Sequence, residues 1–197
     1  MGRRRQIDRE TVLATGRAIA NEHGIEAVSM HSVARQLGVT PMALYRHVYD
    51  KSALINGIVG QVYEDMVPPD PDLPWRDRIL AAGASIRDSA QRNPGVAVLL
   101  AQREPPAGSS RSIDTAIGDA LVEGGAERSE VLGLYRAVTS AYLGFVTGEA
   151  GRFGWVGPDE PDADFATVQS MVGLLLDEVE RSHRRRAVRS QRSRPTH

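Results

Sequence analysis

The chain of 197 residues contains no cysteine. That excludes a disulfide scaffold, a thiolate metal site and a cysteine nucleophile. Histidine is scarce and unevenly placed. Its five copies stand at 23, 31, 47, 183 and 197, so 48–182 contains none. Most of the chain therefore lacks an imidazole base for a Ser or Thr nucleophile. It also lacks a histidine grip on a transition metal, since carboxylates alone favour hard ions. No phosphate-cradling glycine loop and no carboxylate pair at motif spacing is visible. These gaps argue against an enzyme, and no metal or cofactor is expected. Lysine is nearly missing as well: 23 of the 24 basic residues are Arg, and Lys51 is the one Lys. The longest uncharged segments, 137–148 and 165–176 among them, are twelve residues each, short of the about eighteen a membrane span needs. Met-Gly-Arg-Arg-Arg at the start is followed by no apolar stretch, so no secretory signal is expected. The expectation is a soluble cytoplasmic protein with no membrane contact.

What is present is an ordinary globular composition. Counted with glycine and without tyrosine, about 48% of the residues are apolar, enough for a buried core without staples. The net charge of −1 hides a partition. Residues 1–51 carry eight basic and five acidic side chains; residues 181–197 carry seven Arg and no acid. The middle, 52–180, is left with nine basic and twenty acidic groups. A polyanion would meet the ends of this chain and be repelled by its middle.

Apolar residues recur at spacings of three and four, and no strand pattern with period two appears. The fold class is all-α, with about nine helices. Asp8 is placed to cap a first helix ended by Gly24, with Val12, Gly16, Ile19 and Ala20 inward. Ser29 caps a short helix, His31–Leu37. After the Gly38-Val39 turn, Thr40-Pro41 opens a third helix, Met42–Tyr49, with Pro at the position where its missing N–H costs nothing. Asp50 caps a fourth helix from Lys51 to about Met66. Beyond the Pro-rich 67–74, helices are expected over 75–93, 96–102, 110–122, 129–149 and 164–181. The tail has no apolar periodicity and is expected to be disordered.

Residues 29–49 read as a helix-turn-helix: two short helices joined by a tight Gly-containing turn. Ala34 is small where the helices meet, and Leu44 and Val48 face inward. The rest of the second helix, Thr40, Met42, Tyr45, Arg46 and His47, faces outward and holds no acid. Donors and an aromatic without a carboxylate suit a phosphate-lined groove. Taken singly, Tyr45 could be a half-buried core aromatic, His47 a structural histidine and Arg46 a solvated charge. Lys51 beside a helix N-terminus is an anion site on two counts. Arg3-Arg4-Arg5 could touch a backbone or minor groove, or be a plain solvated terminus.

Residues 8–64 resemble the DNA-binding domain of the tetracycline-repressor (TetR) family of bacterial one-component regulators. Gly24, Val33-Ala34-x-x-Leu37-Gly38-Val39, Leu44-Tyr45-Arg46-His47-Val48 and Lys51-x-x-Leu54 carry the resemblance. It implies that His31 lies near the DNA and that Thr40, Pro41 and Met42 face base edges. It further implies that Tyr45, Arg46 and His47 hold phosphates or bases, and that Lys51 contacts a phosphate. The chain then divides into a DNA-binding domain (1–50), a connecting helix four (51–66), an effector-binding and dimerisation domain (67–182) and an Arg-rich tail (183–197). The implied function is a ligand-responsive transcriptional regulator, a repressor released from a palindromic operator on double-stranded DNA by a small molecule. The rival reading is an all-helical ligand-binding or adaptor protein whose helix-turn-helix no longer binds DNA.

Two further sets of residues follow from the second domain. The stripes Leu134, Val138, Tyr142 and Phe145, and Val168, Val172, Leu175 and Val179, can pack against a symmetry mate as a four-helix bundle. The resemblance implies such a homodimer; the alternative is that both stripes complete the internal core. A pocket inside helices five to eight would be lined by Gln102, Tyr135, Thr139, Tyr142 and Trp155. Neutral inward groups, Thr139 and Gln102, suit an apolar or aromatic-bearing effector. A strongly anionic ligand would need a buried Arg such as Arg136. Tetracycline is not expected, because the magnesium–tetracycline grip of the founding repressors uses His in this domain.

Overall fold

A computed structural model describes residues 7–103, 112–149 and 161–192, and every regular element among them is helical. The helices are α1 (Arg9–His23), α2 (Met30–Leu37), α3 (Pro41–Leu44), α4 (Lys51–Glu64) and α5 (Trp75–Arg92), followed by α6 (Ala97–Gln102), α7 (Ser112–Glu123), α8 (Arg128–Thr147) and α9 (Pro161–Arg192). A single 3-10 turn, Ile25–Ala27, lies between α1 and α2. Among the described residues no helix is long and apolar enough to cross a membrane.

The described residues form two compact units, 7–66 with 89–103, and 67–88 with 112–149 and 161–192. The boundary differs from the expected one at residue 66, because the end of α5 and all of α6 belong with α1–α4.

In the first unit the capping residues act as the sequence implies. Asp8 accepts from the Thr11 amide at 2.7 Å and Asp50 from the Ala53 amide at 2.7 Å. Ser29 and Ser32 form a reciprocal box: the Ser29 amide donates to Ser32 Oγ at 2.9 Å and the Ser32 amide to Ser29 Oγ at 3.0 Å. Both satisfy donors that a helix start otherwise leaves open. Gly38 takes φ +69°, ψ 33°, the left-handed region in which a side chain is strained. This turn lets the chain reverse between α2 and α3 within three residues. Leu44, Val48, Leu54, Ile58 and Val62 are buried with Val12, Leu13, Val33 and Ala34, and α1 packs on both α2 and α4. Ser29→Ala is expected to cost about 1 kcal/mol, read from urea denaturation of the full chain.

The third helix is shorter than its expected span, 42–49. After Leu44 the chain tightens: the His47 amide donates to the Leu44 carbonyl at 2.8 Å, as does that of Val48 at 3.0 Å. The capping geometry of Asp50 needs an extended backbone, φ −157°, so the helical path must end before it.

In the second unit α7 packs on α8 and α8 on α9. Ile79, Ala82, Ile86, Ile117, Leu121, Val138, Tyr142, Val146, Val172, Leu176 and Val179 are its buried core. The last helix corrects the expected disorder after residue 182. It continues to Arg192, and polar partners rather than apolar ones hold it. Arg184 pairs with Glu180 at 2.6 Å, one turn away. Arg186 reaches Glu127 at 3.3 Å and Glu130 at 3.2 Å and donates to the Gly125 carbonyl at 2.8 Å. Residues 193–197 of the expected tail lie outside the described residues.

Candidate DNA interface

The corner formed by α2, α3 and the start of α4 brings together the residues expected to meet DNA. His31, Thr40, Arg46 and Lys51 are exposed, Pro41 and His47 are half-buried, and Met42 and Tyr45 are 74% and 51% exposed. Thr40 occupies the N-cap position of α3, yet its hydroxyl makes no capping bond. An open groove runs past them, lined in part by Thr11, Val39, Met42, Arg46 and His47. His47 sits within this groove rather than on the outer face. The Asp8 carboxyl is held below the usual range, chiefly by the Thr11 hydrogen bonds and in smallest part by the charge of His47.

Burial decides one of the alternatives that the sequence leaves open. Leu44 and Val48, not Tyr45, fill the core beneath α3. Among the described residues Arg46 and Lys51 have no ion-pair partner, whereas Arg17, Arg76, Arg78 and Arg87 are each paired with a carboxylate. The basic side chains Arg181, Arg184, Arg185 and Arg186 are likewise paired within the protein. The cations without carboxylate partners include those of the helix-turn-helix, where incoming phosphates would meet them without displacing an internal partner.

One residue of this surface escapes the sequence reading. Tyr49 is 84% exposed, between the end of α3 and the Asp50 cap. The signal was its place one step beyond the Leu44–Val48 stripe, where nothing draws it inward.

The residues expected to line an effector pocket are only partly brought together. Tyr135, Thr139 and Tyr142 share one face of α8, at spacings of four and three. Tyr135 donates to Asp114 at 2.7 Å. The Thr139 hydroxyl donates back to the Tyr135 carbonyl at 2.9 Å. Tyr142 is fully buried and donates to Gln169 Oε1 at 3.0 Å, and Gln169 Nε2 donates to the Leu80 carbonyl at 3.1 Å. Burial pushes the Tyr142 phenol above its ordinary pKa. Gln102 corrects the expectation of an inward amide: it is exposed, at the end of α6 in the first unit. A helix of six residues is too short for periodicity to tell its inner from its outer face. Arg136 is exposed too, while Arg87 is a sheltered guanidinium, held by Glu149 at 2.8 Å and Asp162 at 3.0 Å and lying 4.6 Å from the Phe165 ring. Trp155 lies outside the described residues.

The expected dimer stripes are corrected as well. Val138, Tyr142, Val172 and Val179 are buried within one protomer, and Leu134, Phe145, Val168 and Leu175 are half-buried. Phe145 and Tyr142 both pack near Phe165, at 5.6 and 6.2 Å between centroids. The four buried side chains belong to the internal core, and the four half-buried ones keep part of their surface outward. The large apolar groups left on the outer faces are Leu132 of α8 and Met171, Leu174 and Val188 of α9, at 56%, 61%, 66% and 53% exposure.

Comparison with known proteins agrees with the helix-turn-helix geometry. Residues 12–58 match the family described as bacterial regulatory proteins, tetR family. The HTH-type transcriptional regulator Rv1816 of Mycobacterium tuberculosis is 25% identical over 182 residues, covering 89% of this chain and 73% of its own length. Mycobacterium smegmatis BioQ superposes with a TM-score of 0.75 at 27% identity, covering 88% of this chain and 98% of that one. BioQ with its natural double-stranded DNA operator superposes with a TM-score of 0.72 at 26% identity, covering 89% and 99%. Over its helix-turn-helix the chain is thus similar to the tetR family of bacterial regulatory proteins, and over most of its length it is similar to DNA-binding transcriptional regulators.

Proposed function

We propose that the protein is a repressor that holds a pseudo-palindromic operator as a homodimer and is released by a small, apolar or aromatic-bearing molecule. The observation that carries the DNA part is the exposed corner of Thr40, Met42, Tyr45, Arg46 and Lys51, in which 40–49 holds no acid and neither cation makes an ion pair among the described residues. On this reading Lys51, at the N-terminus of the 14-residue α4, positions a phosphate, and Arg46 reads a base edge. Tyr49 joins the same surface. Two such corners would sit about 34–36 Å apart on the duplex, or at a wider spacing that keeps the two-fold axis.

The dimer is assigned to the outer face of α8 and α9. Leu132, Gly133, Ala137, Ser140 and Gly144 of α8 are exposed, as are Ser170, Met171 and Leu174 of α9. Small side chains on one helix and apolar ones on the other allow two protomers to approach closely. The effector site is assigned to the polar seam inside the second unit, Tyr135, Thr139 and Tyr142 with Asp114 and Gln169. An effector that exchanges one of these hydrogen bonds for its own would shift the packing of α5, α8 and α9. A coupling of about 1–3 kcal/mol is enough for induction, and the ligand then loses about 5–150-fold in affinity when operator is present.

The test is a gel shift and salt titration with the upstream intergenic fragment. Lys51→Ala should weaken binding to every sequence alike and make the logarithmic salt slope shallower by about one unit for each phosphate it neutralises. An unchanged slope would remove Lys51 from the interface. Failure of the wild-type protein to shift any DNA fragment would overturn the repressor reading.

A further inference from the structure

The first turn of α3 is chemically unusual for a surface that reads bases. Base edges are commonly recognised through paired hydrogen bonds, from Arg or Lys to guanine and from Asn or Gln to adenine. Thr40, Pro41 and Met42 supply none of these groups, and Pro41 lacks even an amide N–H. What the turn presents instead is a thioether. Met42 is 74% exposed and takes no part in the core beneath it, which Leu44 and Val48 fill. An unbranched, polarizable side chain held in water at the tip of a short helix gains nothing from the protomer that carries it. It stands on the rim of the groove that also holds Ala43, Arg46 and His47, and Tyr45 and Arg46 follow it by one helical turn on the same face. The apolar tip therefore leads, and the hydrogen-bond donors stand behind it.

One base offers an apolar group in the major groove: thymine, through its C5-methyl. We propose that Met42 is a specificity-determining residue that reads a thymine methyl by apolar contact, one in each half-site. The inference rests on the DNA-binding reading above and adds which base this turn selects and by what force. It also divides the labour on α3. Met42 excludes cytosine and the purines because none of them fills the contact, while Arg46 and Tyr45 supply polar contacts one turn further on.

The test separates the methyl from every hydrogen bond. The operator is mapped by footprinting with the full-length protein, and each thymine is then replaced singly by deoxyuridine, which lacks only the C5-methyl. One position per half-site should lose about fourfold in affinity, the worth of one buried methyl-sized group. Met42→Ala should bind the unmodified operator about fourfold more weakly per half-site and show no further loss with deoxyuridine at that position. Met42→Leu, which keeps an apolar group, should retain the preference for thymine. Lys51→Ala should weaken the thymine and deoxyuridine operators by the same factor. Circular dichroism of Met42→Ala should match the wild type, because the side chain lies outside the core.

Two results would overturn the proposal while leaving DNA binding intact. In one, every deoxyuridine operator binds as tightly as its parent. In the other, the loss at the sensitive position persists undiminished in Met42→Ala, so that another residue reads the methyl. A wild-type protein that binds no operator fails the DNA-binding reading itself, and this inference falls with it.

Discussion

Met171→Glu with Leu174→Glu is expected to convert the protein into a folded monomer that no longer holds operator at concentrations where the wild type does. Both side chains stand outside the protomer core, at 61% and 66% exposure, so in an isolated chain the change replaces apolar surface with a solvated, helix-compatible residue. Helicity should therefore persist. In a two-fold interface each substitution acts twice. Loss of four buried apolar side chains, at about 1.5–3 kcal/mol each, removes roughly 6 kcal/mol or more of association energy, some four powers of ten in the dimer constant. Four like charges facing one another add repulsion. Operator affinity should fall with the dimer, because two half-sites held by one body gain about 10²–10⁴ over either alone. Light scattering, circular dichroism and a gel shift on the same preparation check the three parts. Val172→Glu is the contrasting variant. Its side chain is buried within the protomer, so an unpaired carboxylate there should unfold the second unit rather than merely separate two copies. A double variant that still sediments as a dimer would move the interface away from α8 and α9.

The contrast between those variants marks where the sequence was legible and where it was not. Helix starts were readable because their chemistry is local: Asp8, Ser29 and Asp50 cap within three residues of themselves, and Gly38 turns in place. The inward pair under α3 was readable because Leu44 and Val48 stand four residues apart on one face. Helices α8 and α9 each carry two. Val138, Tyr142 and Val146 line one side of α8 and Leu132 the other, and α9 sets Val172, Leu176 and Val179 against Met171 and Leu174. A period of 3.6 finds both faces and cannot say which meets the protomer's own core. The end of α9 failed for a different reason. Residues 181–186 contain no apolar side chain, so hydrophobic periodicity sees a tail. The partners of Arg186, namely Glu127, Glu130 and the Gly125 carbonyl, lie far away in sequence, where single-segment patterns carry no information. The exposed Gln102 and Arg136 failed because a polar residue's burial depends on neighbours that only the fold assembles.

The same dependence on distant neighbours sets the second large effect, at Gly95. Replacing it with Ala is expected to destabilise the first unit by about 1–3 kcal/mol, the usual cost of overpacking a closed contact. A Cβ at this position would stand 1.8 Å from the Ala20 carbonyl oxygen and 2.2 Å from its carbon. Both are main-chain atoms, so no rotamer change can relieve the contact. The Ala20 carbonyl is also committed: it accepts the Gly24 amide at 2.8 Å to close α1, so moving it would open the helix end. Around this point of closest approach lies a buried polar joint. Asn93 is 1% exposed; it accepts from Arg17 Nε at 2.6 Å and donates to the Ser89 carbonyl at 2.8 Å. Arg17 continues to Asp65 at 2.5 Å, and Asn21 Oδ1 accepts the Gly95 amide at 3.3 Å. Backing α1 away to admit a methyl group would therefore stretch these bonds as well, and a buried amide left without partners costs about 1–3 kcal/mol of its own. For a chain of this size the melting temperature should fall by about 2–4 °C per kcal/mol. Arg17→Ala and Asn93→Ala, measured singly and together, should show a coupling energy of about 0.5–3 kcal/mol, because each removes the other's partner. If Gly95→Ala instead melts with the wild type, the corner between α5 and α6 does not rest on α1, and the joint between Arg17 and Asn93 loses its structural basis.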